Sequence, residues 1–181
     1  MTSLRVAAPA SPARTGVWIG IATITMSFTA YTSALVVRQG SGGDWQHFQL
    51  PPILYFNTLV LVASSATLEA GRRPKAAVAG WLWLTLGLGL LFIAGQVLAW
   101  RDLAAQGLYL ATNPSSAFFY VFTALHALHL LGGVAALGYV LSRQRRAAGE
   151  VPVQALGAAA LYWHFMTVLW LYLLLVLALR L

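Results

Sequence analysis

The chain has 181 residues, the length of a single domain, and 60% of them are hydrophobic against 8% charged. A water-soluble domain carries about 25% charged residues, so the composition excludes a soluble globule and points to an integral membrane protein. The formal charge of +7 falls in short clusters between apolar runs, which reads as topology signals facing anionic lipid and not as a nucleic-acid surface. The absence of cysteine excludes disulfides, thiolate metal sites, iron–sulfur clusters and covalent c-type haem.

In chain order, the first segment, MTSLRVAAPASPART, is polar and contains proline. It lacks a compact apolar core before a cleavage site, so residues 1–15 are expected to form a disordered cytoplasmic tail without a signal peptide. Residues 16–181 are expected to form one membrane domain. A spanning helix needs about 20 mostly apolar residues, and five segments qualify: 16–37, 52–70, 77–100, 115–141 and 152–179. The expected fold is therefore an all-α, polytopic bundle of five transmembrane helices. Pro51 and Pro52 open the second helix, where a missing N–H costs little, and Pro152 suits the first turn of the fifth. Asn113, Pro114, Ser115 and Ser116 supply cap residues for the fourth.

The basic residues set an expected orientation. Arg5, Arg14, Arg72, Arg73, Lys75, Arg143, Arg145 and Arg146 fall on one side of the five spans, and Arg38, Arg101 and Arg180 on the other. By the positive-inside rule the N-terminus is cytoplasmic and the C-terminus outside. Asp44 and Asp102 then lie in outside loops. His47, in GGDWQHFQLPP, reads as a solvated or interfacial residue beside an indole, Trp45, at headgroup level.

The residues that invite a chemical reading are histidines. His126 and His129 share a face of the fourth helix at i, i+3 spacing, and His164 lies near the middle of the fifth, where it is expected at similar depth. Three imidazoles at one depth could form a metal site, and one from each helix could ligate a b-type haem. Against this, no membrane-embedded carboxylate is available to orient a ligand, and helices joined by a short loop pack directly. Neutral histidines bonded across helices or to a partner are the simpler reading; a proton-path or quinone-contact role is the third. Glu69, beside Arg72 and Arg73, reads as an interfacial ion pair, with headgroup or proton-uptake contact as the functional alternative. Asn57 and Gln96 are expected to bond to neighbouring helices. Gly132, Gly133 and Gly138, with Ser64 and Ser65, are small-residue patches that allow close helix approach. Convergent acids and bases are too few for an enzyme acting alone, and broken helices in corresponding halves, the mark of many transporters, are missing.

Taken together the segments resemble subunit III of the haem–copper oxidases, found in cytochrome c and quinol oxidases. FFYVFTALHALHLLGG is similar to that family's FY-x-x-T-x-x-H-x-x-H-x-x-x-G helix. GVWIGIATITMSF resembles the first helix of its five-helix bacterial form, LPPILYFNTLVLVASSATLEAGRR the second, AAQGLYLATNPSSAFFY the loop into the fourth, and LYWHFMTVLWLYLLLVL the closing helix. The resemblance implies a non-catalytic subunit with no catalytic, metal or cofactor residues of its own, which supports assembly, lipid binding and sustained turnover of an oxygen-reducing complex. Haem and copper would lie in partner subunits, with catalytic subunit I and subunit II as neighbours, phospholipid as a further partner, no nucleic acid, and a multi-pass location in the bacterial plasma (inner) membrane. Asn57, Glu69, Arg72, Arg73, His126, His129, Trp163 and His164 are the implied lipid or structural contacts. Two positions depart from the family pattern: Ile24 replaces a first-helix glutamate and Thr167 an aspartate after WHF. The rival reading is a membrane cytochrome b or quinone-binding anchor using His126, His129 and His164.

Overall fold

The structure, a computed structural model, describes residues 12–73, 78–146 and 153–181. They form α1 (Pro12–Ser41), α2 (Ile53–Arg72), α3 (Val78–Ala105), α4 (Pro114–Arg146) and α5 (Val153–Arg180). All five helices are long and apolar enough to cross a membrane, and there is no strand among the described residues. Helices are the natural outcome for such segments, because in lipid each backbone N–H and C=O must be satisfied within the chain. At a rise of 1.5 Å per residue, the 20 residues of α2 match a hydrocarbon core of about 30 Å. The 30 residues of α1 and 33 of α4 exceed it, so their polar ends project. This explains why α1 begins at Pro12, inside the stretch expected to be tail, and why α4 continues past residue 141 through its arginines. Residues 1–11, Lys75 and Pro152 lie outside the described residues.

Local sequence sets the helix ends. The backbone N–H groups of Leu54 and Tyr55 donate to the carbonyls of Pro51 and Pro52, which start α2. At the start of α4 the Asn113 side-chain oxygen accepts the N–H of Ser116 at 2.7 Å, an N-cap placed where the NPSS run leads one to expect it. α3 is stopped two residues after Ala105 by Gly107, whose φ of +79° suits a residue without Cβ. Leu108 N–H bonds Leu103 O and Gly107 N–H bonds Ala104 O, both at 3.0 Å, the paired bonds of a Schellman stop.

α2, α3, α4 and α5 close into a ring in which each helix touches its two neighbours; α1 packs outside it on α5 and α4 and not on α2. The α1–α2 loop, the α3–α4 loop and the end of α5 meet at one end of the bundle. There Phe48 N–H and His47 Nδ1 both bond Leu181 O, Trp45 Nε1–H donates to Arg180 O, and Asn113 Nδ2–H donates to Gln46 Oε1. His47 is thus engaged with the end of α5. At the opposite, basic end α2 and α3 are drawn so close that a Cβ on Gly71 would lie 2.4 Å from the Trp81 Cβ.

Candidate functional site

The centre of the ring is filled from α5. Trp163 is fully buried, and its six-membered ring lies in a slot between Gly89 of α3 and Gly133 of α4. A Cβ on Gly89 would come within 2.6 Å of the ring, and one on Gly133 within 3.1 Å. Its Nε1–H donates to Ser64 Oγ of α2 at 3.1 Å, so one side chain joins all four helices of the ring. Seven residues on, two helical turns along the same face, Trp170 repeats the arrangement. Its Nε1–H donates to Thr58 Oγ1 of α2 at 2.9 Å, and it meets Phe92 of α3 edge-on with centroids 4.8 Å apart. Trp100 of α3 donates to Thr123 Oγ1 of α4 at 2.9 Å. Ser64 is therefore a hydrogen-bond acceptor as well as a small residue. Of the glycines, Gly133 serves close packing, whereas a Cβ on Gly138 would meet open space.

The histidines do not converge. His126 is fully buried, stacked obliquely on Trp170 with centroids 5.0 Å apart and edge-on to Phe92 at 5.8 Å. Neither of its ring nitrogens has a hydrogen-bond partner among the described residues. The expected cross-helix bond is thus replaced here by aromatic packing. His129 turns its Nδ1 to Leu125 O of its own helix at 2.7 Å and its ring edge to Phe28 of α1; its carbonyl accepts the Tyr162 hydroxyl at 3.0 Å. His164 faces α2 instead, with Nδ1 hydrogen-bonded to Ser65 Oγ and Nε2 3.6 Å from Glu69 Oε2. The depth expectation fails as well. His126 is level with Trp170, six residues beyond His164 on α5, or about 9 Å along the axis. The reason is rotational: with Trp163 directed into the ring, the next residue lies about 100° around the helix and meets α2. No group of three histidines, cysteines or carboxylates that could hold a metal occurs among the described residues, and these imidazoles do not fit a haem between α4 and α5.

The polar groups of the basic end instead form a rim. Glu69 Oε2 accepts Arg72 Nη1–H at 2.8 Å, the ion pair expected from the sequence, while the Arg73 backbone N–H caps α2 on Ala70 O. Because α1 and α2 flank α5 without touching, they leave a groove of about 420 Å³ over it, lined by Arg14, Arg72, Gln154, Gly157, Leu161 and His164 among others. Asn57 is buried against Gly95, where a Cβ would overlap its amide, and its Nδ2 and both amide atoms of Gln96 are without partners among the described residues. The expected bonds from these two amides to neighbouring helices are not seen at those atoms. At the two positions that depart from the family pattern, Ile24 is buried in the core and Thr167 donates to Trp163 O at 3.2 Å.

Five long apolar helices, tied together by buried indoles and hydroxyls, define a multi-pass helical membrane protein. The chain belongs to the family described as cytochrome c oxidase subunit III, whose sequence model matches residues 18–179. It is 32% identical over 158 residues to a probable cytochrome c oxidase subunit 3 of Mycobacterium tuberculosis, covering 80% of this chain and 74% of that one. It is 30% identical over 167 residues to the cytochrome c oxidase subunit 3 of Thermostichus vulcanus, covering 86% and 81%. A probable subunit 3 of Nocardia farcinica is 35% identical over 121 residues, covering 63% and 59%. The chain is a non-catalytic oxidase subunit; the cytochrome b alternative finds no support in the family or in the placement of the histidines.

Proposed function

We propose that this chain is the non-redox subunit of a bacterial terminal oxidase in the plasma (inner) membrane, held against catalytic subunit I and accompanied by subunit II. Haem and copper belong to those partners. The observation that carries the reading is the keystone role of Trp163: interior groups join helices to one another, and the histidines that could have served a cofactor are separated among them. The contribution to turnover is then mechanical, covering apolar partner surface and fixing lipid beside it. The basic end faces the cytoplasm under the positive-inside rule, which puts the α1–α2 groove at the inner leaflet. A lipid phosphate there meets Arg14 and Arg72, with Arg73 beside them, and His164, which lines the groove and reaches Glu69, sets the polarity of the floor. The exposed surface of α1, on both sides of its buried Ile24–Phe28 line, is suited to a partner. Its hydroxyls at Thr23 and Ser27 on one side and Thr25 and Thr29 on the other bond carbonyls one turn back in their own helix, so a helix packed on either side covers them without leaving an unpaired donor.

The test compares the oxidase purified with and without this chain. The initial rate of oxygen consumption is expected to be largely retained, and the rate to decay faster during turnover when the chain is missing. Equal decay in both preparations would overturn the supporting role.

A further inference from the structure

We propose that the basic-end half of α1, residues 12–23, is a hinged arm that swings over α5 between the two grooves beside it, on a pivot built from the hydroxyls of Thr23, Thr25, Ser27 and Thr29. Attachment changes abruptly along this helix. Residues 12–23 include no buried side chain, and a Cβ on Gly16 or Gly20 would meet nothing within 4 Å. Beyond them Ile24, Phe28 and Leu35 are buried. Phe28 stacks on Phe122 of α4 with centroids 6.2 Å apart, the Tyr172 hydroxyl of α5 donates to Thr32 Oγ1 at 2.9 Å, and Gln39 Nε2–H donates to Arg180 O at 3.3 Å. Lipid supplies no hydrophobic driving force between helices, so packing and cross-helix bonds hold a span in place. The outer half of α1 is well supplied with both, and the basic-end half is not.

The pivot has its own chemistry. Thr23, Thr25, Ser27 and Thr29 donate to the carbonyls of Ile19, Ile21, Thr23 and Thr25, at between 2.8 and 3.0 Å. Each of those carbonyls also serves the N–H ladder of the helix, and a hydroxyl inserted one turn back weakens the ladder and bends helices. The run sits where burial begins, so α1 is softest at the point where its anchorage starts. Room exists on both sides. Arg14 lines the groove of about 420 Å³ toward α2, and Ala13 and Val17 line one of about 400 Å³ against α4 and α5. Narrowing one widens the other. Thr15 lies about 15 Å along α1 from Thr25, so a bend of about 20° moves it by about 5 Å. Arg14 rides on the arm while Arg72 stays on α2. On the phosphate reading of the α1–α2 groove, on which this coupling rests, an anion between the two guanidiniums draws the arm toward α2, and a partner packed on α1 receives that movement.

The chain has no cysteine, so nitroxide labels attach only where one is introduced. The full chain in phosphatidylcholine nanodiscs is labelled as Thr15→Cys with Ala66→Cys, which reports on the arm, and as Val37→Cys with Tyr55→Cys at the outer end; all four positions are exposed. Double electron–electron resonance is expected to give a distance distribution about 5 Å wider at the basic end than at the outer end. Removing the hydroxyls, as Thr23→Val, Thr25→Val, Ser27→Ala and Thr29→Val together or as Thr25→Val and Thr29→Val alone, should narrow the basic-end distribution toward the outer one. Equally narrow distributions at the two ends, or a basic-end spread that neither variant narrows, would overturn the arm. Phosphatidylglycerol in the nanodisc should shift the basic-end distribution to shorter distances, and Arg14→Gln should abolish the shift. A spread that persists without that shift would leave the hinge standing and overturn the phosphate reading of the groove instead.

Discussion

Replacing Gly89 with alanine places a methyl carbon 2.6 Å from Trp163 Cη2 and 2.9 Å from Cζ2. Carbon atoms pack at about 3.5–4.0 Å, so either the indole or α3 has to move by roughly 1 Å. The indole has little room: the Gly133 side of the slot already lies within 3.1 Å of an added Cβ, and the Ser64 bond holds the far edge. Overpacking of this kind costs about 1–3 kcal/mol, and Gly133→Ala should sit at the low end of that range. Trp163→Phe removes both the ring edge that faces Gly89 and the bond to Ser64; a cross-helix bond in a membrane protein contributes about 0.6 kcal/mol on average. The two sites share one contact, so the double variant Gly89→Ala, Trp163→Phe should be more stable than the sum of the singles by about 1–2 kcal/mol. The assay is denaturant titration of the purified subunit in mixed micelles, followed by far-ultraviolet circular dichroism. Additivity to within about 0.5 kcal/mol would refute the slot.

Three further outcomes follow from named contacts. His126→Phe should retain or raise stability, by up to about 1–3 kcal/mol, because it keeps the packing on Phe92 and Trp170 and removes two unpartnered buried nitrogens; a loss of similar size in the same titration would mean the imidazole is bonded. Gly107→Ala should cost about 1–2 kcal/mol because its φ is +79°, whereas Gly138→Ala, which meets open space, should change nothing; equal effects would contradict the Schellman stop. Asp44, in the loop after α1, accepts two bonds from Arg38 at 2.7 and 2.8 Å, and the guanidinium bonded to it lowers its pKa below the ordinary 3.8. A lowered carboxylate contributes stability above its unfolded pKa and loses it as pH falls through the folded one. Arg38→Gln should therefore raise the Asp44 titration midpoint, read by carbon NMR of the labelled carboxylate, and an unchanged midpoint would dismiss the pair.

The five spans were legible because each is a run of apolar residues long enough to cross a bilayer, and the start of α4 because Asn113 and Pro114 are chemically suited to it. Hydropathy marks where lipid begins and not where helical hydrogen bonding stops, so the extensions to Pro12 and Arg146 were not legible. It also carries depth without rotation. α5 is apolar all round, and nothing in its sequence says that Trp163 points into the ring while His164 points to α2. That is why His126 and His164 looked like a pair and are not. A usable signal did exist: Trp163 and Trp170 recur on one face seven residues apart, opposite Thr58 and Ser64 on α2. It reads as a ladder only once α2 and α5 are known to touch. Gly138 shows the reverse case, a glycine grouped with packing residues that faces open space.

The proposed function leaves every redox centre to the partner subunits. Its most direct test is haem extraction and reduced-minus-oxidised difference spectroscopy on the oxidase with and without the chain, with haem expressed per catalytic subunit. The same haem content and the same absorption bands are expected in both preparations. Loss of a haem band in proportion to the missing chain would contradict it.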